Sequence, residues 1–126
     1  MAYSTILADD SLFIRTIMKR SLERYDFTIV AEAANGFEAV EEYAKHQPDL
    51  IILDISMPQK NGIEAAKDIV AQFPDAIIIM CSALGQRDFI DECLEAGVSN
   101  FIVKPFYPDK LPGMLLKMMA KLKGGR

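Results

Sequence analysis

The chain has 126 residues, enough for one domain with a substantial core that needs neither disulfides nor structural metal. Hydrophobic residues make up 51% and charged residues 25%, a globular composition, and no run approaches the roughly 18 apolar residues of a membrane span. The net charge is −4, with Lys and Arg scattered until the tail Lys117, Lys121, Lys123 and Arg126; no basic stripe suited to a nucleic-acid backbone is present.

The amino terminus, Met1 to Leu7, enters an apolar run at once and lacks the basic flank and cleavage site of a secretory signal, so a cytoplasmic protein is expected. The first predicted strand is 5–8, followed by Asp9-Asp10-Ser11 and a helix with Ile14, Ile17, Met18 and Leu22 on one face. A second strand, 28–33, leads to a helix whose apolar face is read as Phe37, Val40, Tyr43 and Ala44. Gln47-Pro48-Asp49 punctuates the approach to a third strand, 50–53, which ends at Asp54. The next helix presents Ile63, Ala66, Val70 and Phe73. Phe73-Pro74-Asp75 then precedes a strand at 77–81, with Ser82 beyond it. Ile90, Cys93 and Leu94 mark a fourth helix closed by Ala96-Gly97, a glycine C-cap pattern. A last strand, 101–103, ends at Lys104, and Leu111, Leu115, Met118, Met119 and Leu122 form the face of a fifth helix. The methionines lie at helical spacing and read as core packing. Cys81 and Cys93, with a single His in the chain, offer neither a zinc spacing nor a disulfide framework and read as buried thiols.

Regular alternation of strand and helix, with strands apolar in unbroken runs, predicts an α/β fold: a doubly wound, five-stranded parallel sheet with helices on both faces. One domain is expected over 1–126, with its core at about 5–122 and a flexible tail at 123–126. In such a sheet ligands bind at the carboxyl ends of the strands. Asp9, Asp10, Asp54, Ser82 and Lys104 all fall on that edge. Taken singly, the acidic pair could cap the first helix, Asp54 could be a turn residue, Ser82 a loop hydroxyl and Lys104 a surface cation. Taken together, three converging carboxylates call for a hard divalent cation with oxygen ligands, magnesium above others. The metal on one side of a phosphoryl group and the Lys104 ammonium on the other would neutralise its equatorial oxygens, Ser82 could hydrogen-bond one of them, and one carboxylate could be the nucleophile.

From about Thr5 to Leu122 these residues resemble the bacterial response-regulator receiver family. The resemblance rests on Asp9-Asp10, the run from Asp54-Ile55-Ser56-Met57-Pro58 to Gly62, then Ser82-Ala83, then Lys104-Pro105-Phe106, in that order. It implies a flavodoxin-like strand order 2-1-3-4-5. It also implies that Asp54 is the phosphoacceptor, with metal held by Asp9, Asp10, Asp54 and the backbone carbonyl of Ser56. Lys104 would contact the phosphoryl group, while Ser82 and Phe101 would form the switch, Phe101 standing where the family often has tyrosine.

The stretch from Cys81 to Gln86 looks like a stand-alone chemotaxis regulator, a monomer phosphorylated by a histidine kinase and read by the flagellar motor switch or another downstream protein. It would catalyse only its own phosphorylation and dephosphorylation. The same resemblance leads to a cis Lys104–Pro105 bond and a readout face built from the fourth helix, fifth strand and fifth helix, with Phe106 and Tyr107 beside it. Pro112 must then lie in the first turn of the fifth helix. Ser56 and Leu84, flanking the route of attacking water, imply slow intrinsic dephosphorylation and dependence on a separate phosphatase. Other stand-alone phosphorelay roles remain open, as does, from another class, an aspartyl-nucleophile phosphatase, although Ser56 stands where such enzymes carry a second acid. No glycine-rich phosphate loop follows any strand, which disfavours a nucleotide or flavin binder.

Overall fold

The computed structural model describes residues 2–83 and 88–123. Five strands, β1 (Tyr3–Ala8), β2 (Phe27–Ala33), β3 (Leu50–Asp54), β4 (Ile78–Ala83) and β5 (Asn100–Lys104), alternate with α1 (Leu12–Leu22), α2 (Gly36–His46), α3 (Gly62–Gln72), α4 (Ile90–Glu95) and α5 (Leu111–Lys123). All pairings are parallel and the order is β2-β1-β3-β4-β5. The predicted architecture and the order implied by the family resemblance are both present.

The unbroken apolar runs divide by parity, because successive strand side chains point to opposite faces. Ile6, Ala8, Ile51, Leu53, Ile78 and Met80 pack with residues of α2, α3 and α4. Leu7, Leu50, Ile52, Ile79, Cys81 and Ile102 pack with α1 and α5. Both cysteines are free and buried, as read from their spacing.

Helix ends follow local chemistry. Ser11, rather than either aspartate before it, caps α1 by accepting from the Ile14 amide. Asn35 caps α2, and Asn61 with Glu64 forms a capping box on α3. Gln47 ends α2 in the left-handed region at φ 41°, and Gly97 follows α4 at φ 95°. Pro112 is the second residue of α5, where its missing N–H costs no helical hydrogen bond, and Lys104–Pro105 is cis.

Four details of the sequence reading need correction. Phe37 and Ala44 do not pack on the sheet; Gly36, Ala39 and Tyr43 are the buried residues of α2, and Phe37 instead lies under the Lys60 ammonium, 5.1 Å from its ring centroid. Ile90 and Leu94 are exposed, because α4 is only six residues long and buries Cys93 alone. Leu122 is also exposed. Lys123 is not tail but the last residue of α5, held 2.7 Å from Asp49, which in turn accepts from the Ser4 amide at 2.8 Å.

Candidate functional site

Strand register brings the polar residues to one level. Ala8 pairs with Leu53 and Asp54 with Cys81, so Asp9 follows β1 beside the end of β3, and Ser82 lies one residue further along β4. Ala83 pairs with Lys104, which closes β5 at the same edge. Asp9 and Asp54 are 3% and 6% exposed, Ser82 is buried, and Asp10 is open to solvent.

Lys104 reaches across the edge with its Nζ 2.7 Å from Asp9 Oδ2 and 3.4 Å from Asp54 Oδ1. Asp9, Asp10 and Asp54 each offer a carboxylate oxygen within 4.8 Å of the others. Burial is the main force that raises Asp54, to about 6, and the Asp9 charge adds to it while Lys104 opposes. Burial pulls Lys104 down, but its hydrogen bond to Asp9 and the charges of Asp54 and Asp9 outweigh that and leave it above the usual ammonium range. Among the described residues, the edge therefore holds more negative charge than the partly buried Lys104 ammonium neutralises. Hard oxygen donors at this separation fit a magnesium ion that takes one or two carboxylates directly and keeps water on its remaining positions.

The loop after β3 is held close to the site. The Gly62 amide donates to the Ile55 carbonyl at 2.8 Å, and a Cβ at Gly62 would overlap the Asp54 carbonyl oxygen. Gly36 donates to the Lys60 carbonyl at 2.8 Å with a similar lack of space, and Lys60 is ion-paired to Asp68 on α3. Ser56 sits exposed in this loop. Phe101, opposite Met80 in the sheet, is partly buried against the core under α2, α3 and α4. Leu84 lies outside the described residues.

Sequence reasoning therefore selected the residues that meet at this edge but gave no role to Gly62, Gly36 or Arg15. Gly62 was visible as the end of the quoted motif, and only the fold reveals that it touches the Asp54 backbone. Arg15 lies off the apolar face of α1, with its side chain 14% exposed and its Nη1 2.5 Å from the Asp9 carbonyl oxygen.

Residues 5–116 match the response regulator receiver domain, and the chain belongs to that family. It is a signalling domain of the phosphoacceptor response-regulator class. Among curated proteins it is 45% identical over 111 residues to chemotaxis protein CheY of Bacillus subtilis, covering 88% of this chain and 92% of that one. It is 41% identical to CheY of Thermotoga maritima, covering 94% and 98%. Solved structures include the response regulator domain of Thermotoga maritima CheB, with TM-score 0.85, 33% identity and 97% coverage of both chains. A chain of the CheX–CheY–BeF3–Mg2+ complex from Borrelia burgdorferi superposes with TM-score 0.84 and 32% identity, covering 95% of this chain and 88% of that one.

Proposed function

We infer that this protein is a cytoplasmic chemotaxis regulator that accepts a phosphoryl group on Asp54 and thereby changes its affinity for a downstream partner. The observation that carries this reading is the buried Asp54 carboxylate, set against Lys104 and clustered with Asp9 and Asp10. Magnesium held by Asp9, Asp10, Asp54 and the Ser56 carbonyl would supply charge neutralisation to the phosphoryl oxygens. An Asp54 carboxylate oxygen attacks phosphorus in line, an acyl-phosphate bond forms, and the bond to the donor breaks, its electrons leaving with the donor's nitrogen or oxygen. Lys104 is already within reach of Asp54 and follows the charge onto the new phosphoryl group. The Ser82 hydroxyl, buried at the end of β4, accepts the role of switch donor to a phosphoryl oxygen. Similarity to CheY proteins over most of both chains supports the chemotaxis assignment.

The partners that fit this reading are a histidine kinase as donor, the flagellar motor switch or an equivalent protein as reader, and a separate phosphatase. The readout surface is α4, β5 and α5, where Ile90, Leu94, Val103 and Tyr107 stand exposed. Drawing Ser82 toward the phosphoryl group opens space for Phe101 to turn inward and reshapes that surface. The self-catalysed gain and loss of this phosphoryl group is then the protein's only chemistry. Incubation with radiolabelled acetyl phosphate and magnesium tests the assignment: wild type takes up label, and Asp54→Asn does not. Equal labelling of the two proteins would move the nucleophile elsewhere.

A further inference from the structure

We propose that Arg15 is a positioning residue that aims the Asp9-Asp10 carboxylates at the metal from behind, with Glu32 as its anchor. The inference rests on the metal-assisted reading of the site above.

A largely buried guanidinium must satisfy its donors, and Arg15 does so in two directions at once. Its Nε lies 2.9 Å from Glu32 Oε1 on β2, and its Nη1 lies 2.5 Å from the Asp9 carbonyl oxygen. Glu32 pairs in the sheet with Leu7 and precedes Ala33, whose carbonyl accepts the Asp9 amide at 3.0 Å. The Asp9 side chain is fixed as well, because its Oδ1 accepts the Ser11 amide at 2.9 Å.

The carbonyl that Arg15 grips belongs to the peptide joining Asp9 to Asp10. The peptide is planar, so holding its oxygen restricts how the chain can place Asp10. Asp10 is exposed, and the peptide that leads into it is the one whose carbonyl Arg15 holds. Partners one step behind metal ligands hold those ligands in binding geometry, and losing one typically lowers metal affinity about 10- to 100-fold.

Arginine is specific to this task. Its rigid fork spans Glu32 and the Asp9 carbonyl together, whereas a lysine ammonium, a single point on a flexible stem, does not reproduce that fixed two-way reach. Lys19 makes the useful contrast. It lies 3.8 Å from Glu32 Oε2, is much more exposed than Arg15, and has no contact with Asp9.

The test measures the magnesium dissociation constant by calorimetric titration for wild type, Arg15→Met, Arg15→Lys and Lys19→Ala, with folding of each checked by circular dichroism. Arg15→Met, which keeps much of the aliphatic stem, is expected to bind magnesium about tenfold more weakly. Arg15→Lys should fall between, and Lys19→Ala should stay within about twofold of wild type. At saturating magnesium, labelling of Arg15→Met by acetyl phosphate should recover to within about threefold of wild type, since mass action compensates lost affinity. Folded Arg15→Met with wild-type magnesium affinity overturns the positioning role, as does equal weakening by Lys19→Ala. A labelling defect that persists at saturating metal with unchanged affinity also overturns it. If Arg15→Met fails to fold, Arg15→Lys decides: wild-type affinity there overturns the need for the two-armed contact, and weakened affinity supports it. Wild-type protein that takes up no magnesium overturns the reading of the site itself, an outcome distinct from wild type and Arg15→Met binding equally well.

Discussion

Two helices that cover the same face of the sheet are built to opposite standards. α3 runs for eleven residues, starts from an Asn61–Glu64 capping box, and buries Ile63, Ala65, Ala66 and Ile69. α4 runs for six, begins at Phe89 without a side-chain cap, and buries only Cys93, leaving Ile90 and Leu94 in water. A helix this short owes nearly all its stability to packing, and α4 has little packing to draw on. The contrast matches a division of labour. α3 packs as a seat behind Asp54, closed against it through Gly62, while α4, short and uncapped with Cys93 as its buried residue, fits the role of the proposed readout surface. A phosphoryl group on Asp54 can bias such an element with few contacts.

The largest effect should come from the seat. Ile69→Ala removes a fully buried side chain of α3 and is expected to lower unfolding free energy by about 3 kcal/mol, measured by urea denaturation. A loss below about 1 kcal/mol would mean that α3 can collapse onto the vacated space and is no more rigid than α4.

Next comes the burden the seat carries. Burial and Asp9 raise Asp54 to about 6 in the metal-free protein, whereas an unfolded aspartate titrates near 4, as an order-of-magnitude reference. Between those values the folded state holds the extra proton, so stability falls as pH rises through this window, and the cost is fully present above it. Asp54→Asn removes that term. Urea melts in EDTA should show the variant more stable by about 2 kcal/mol at neutral pH. That advantage should fade toward pH 4, on the order of the unfolded pKa. A pH-independent difference would assign the gain to something other than the buried charge.

A smaller effect concerns the gap between the two flanks. Ser56 lies in the loop after β3 on the α3 side, and Leu84, outside the described residues, is the next residue in sequence after Ala83. Hydrolysis needs a water held in line with phosphorus, and neither a short hydroxyl nor an apolar side chain positions it well. The double variant Ser56→Asn with Leu84→Glu should lose its phosphoryl group about tenfold faster, which corresponds to about 1.4 kcal/mol. Decay is followed after donor removal with magnesium present, and an equal or slower rate would show that lysine and metal already set the lifetime.

The site was legible in sequence because its residues sit at strand ends, and strand ends can be read from apolar runs. Asp54 and Lys104 needed only the parallel architecture to bring them together. Arg15 was not legible, since one partner is a backbone carbonyl and the other, Glu32, lies across a helical crossover. Phe37 misled because it projects from the first turn of α2 beyond the sheet, onto Lys60, while helical periodicity assumes that every turn has a sheet beneath it. Ile90 and Leu94 misled for a related reason: apolar spacing marks a face but not what covers it, and at α4 both residues face solvent. Lys123 read as tail because its partner, Asp49, is 74 residues away.

The smallest expected effect on stability is therefore the most telling about α4. Leu94→Ala trims a side chain that is 55% exposed, and a core leucine would cost several kcal/mol on the same change. Here the loss should stay within about 0.5 kcal/mol, because little apolar area returns to water. Binding should respond differently. If Leu94 is a partner anchor, its truncation lowers affinity of the phosphorylated protein for the motor switch or another reader about tenfold, or about 1.4 kcal/mol, while Asp54 labelling is unchanged. Measured side by side, Ile69→Ala should damage folding and Leu94→Ala should damage readout. A Leu94→Ala protein that unfolds easily, or that binds its reader as tightly as wild type does, would erase the distinction between seat and moving surface.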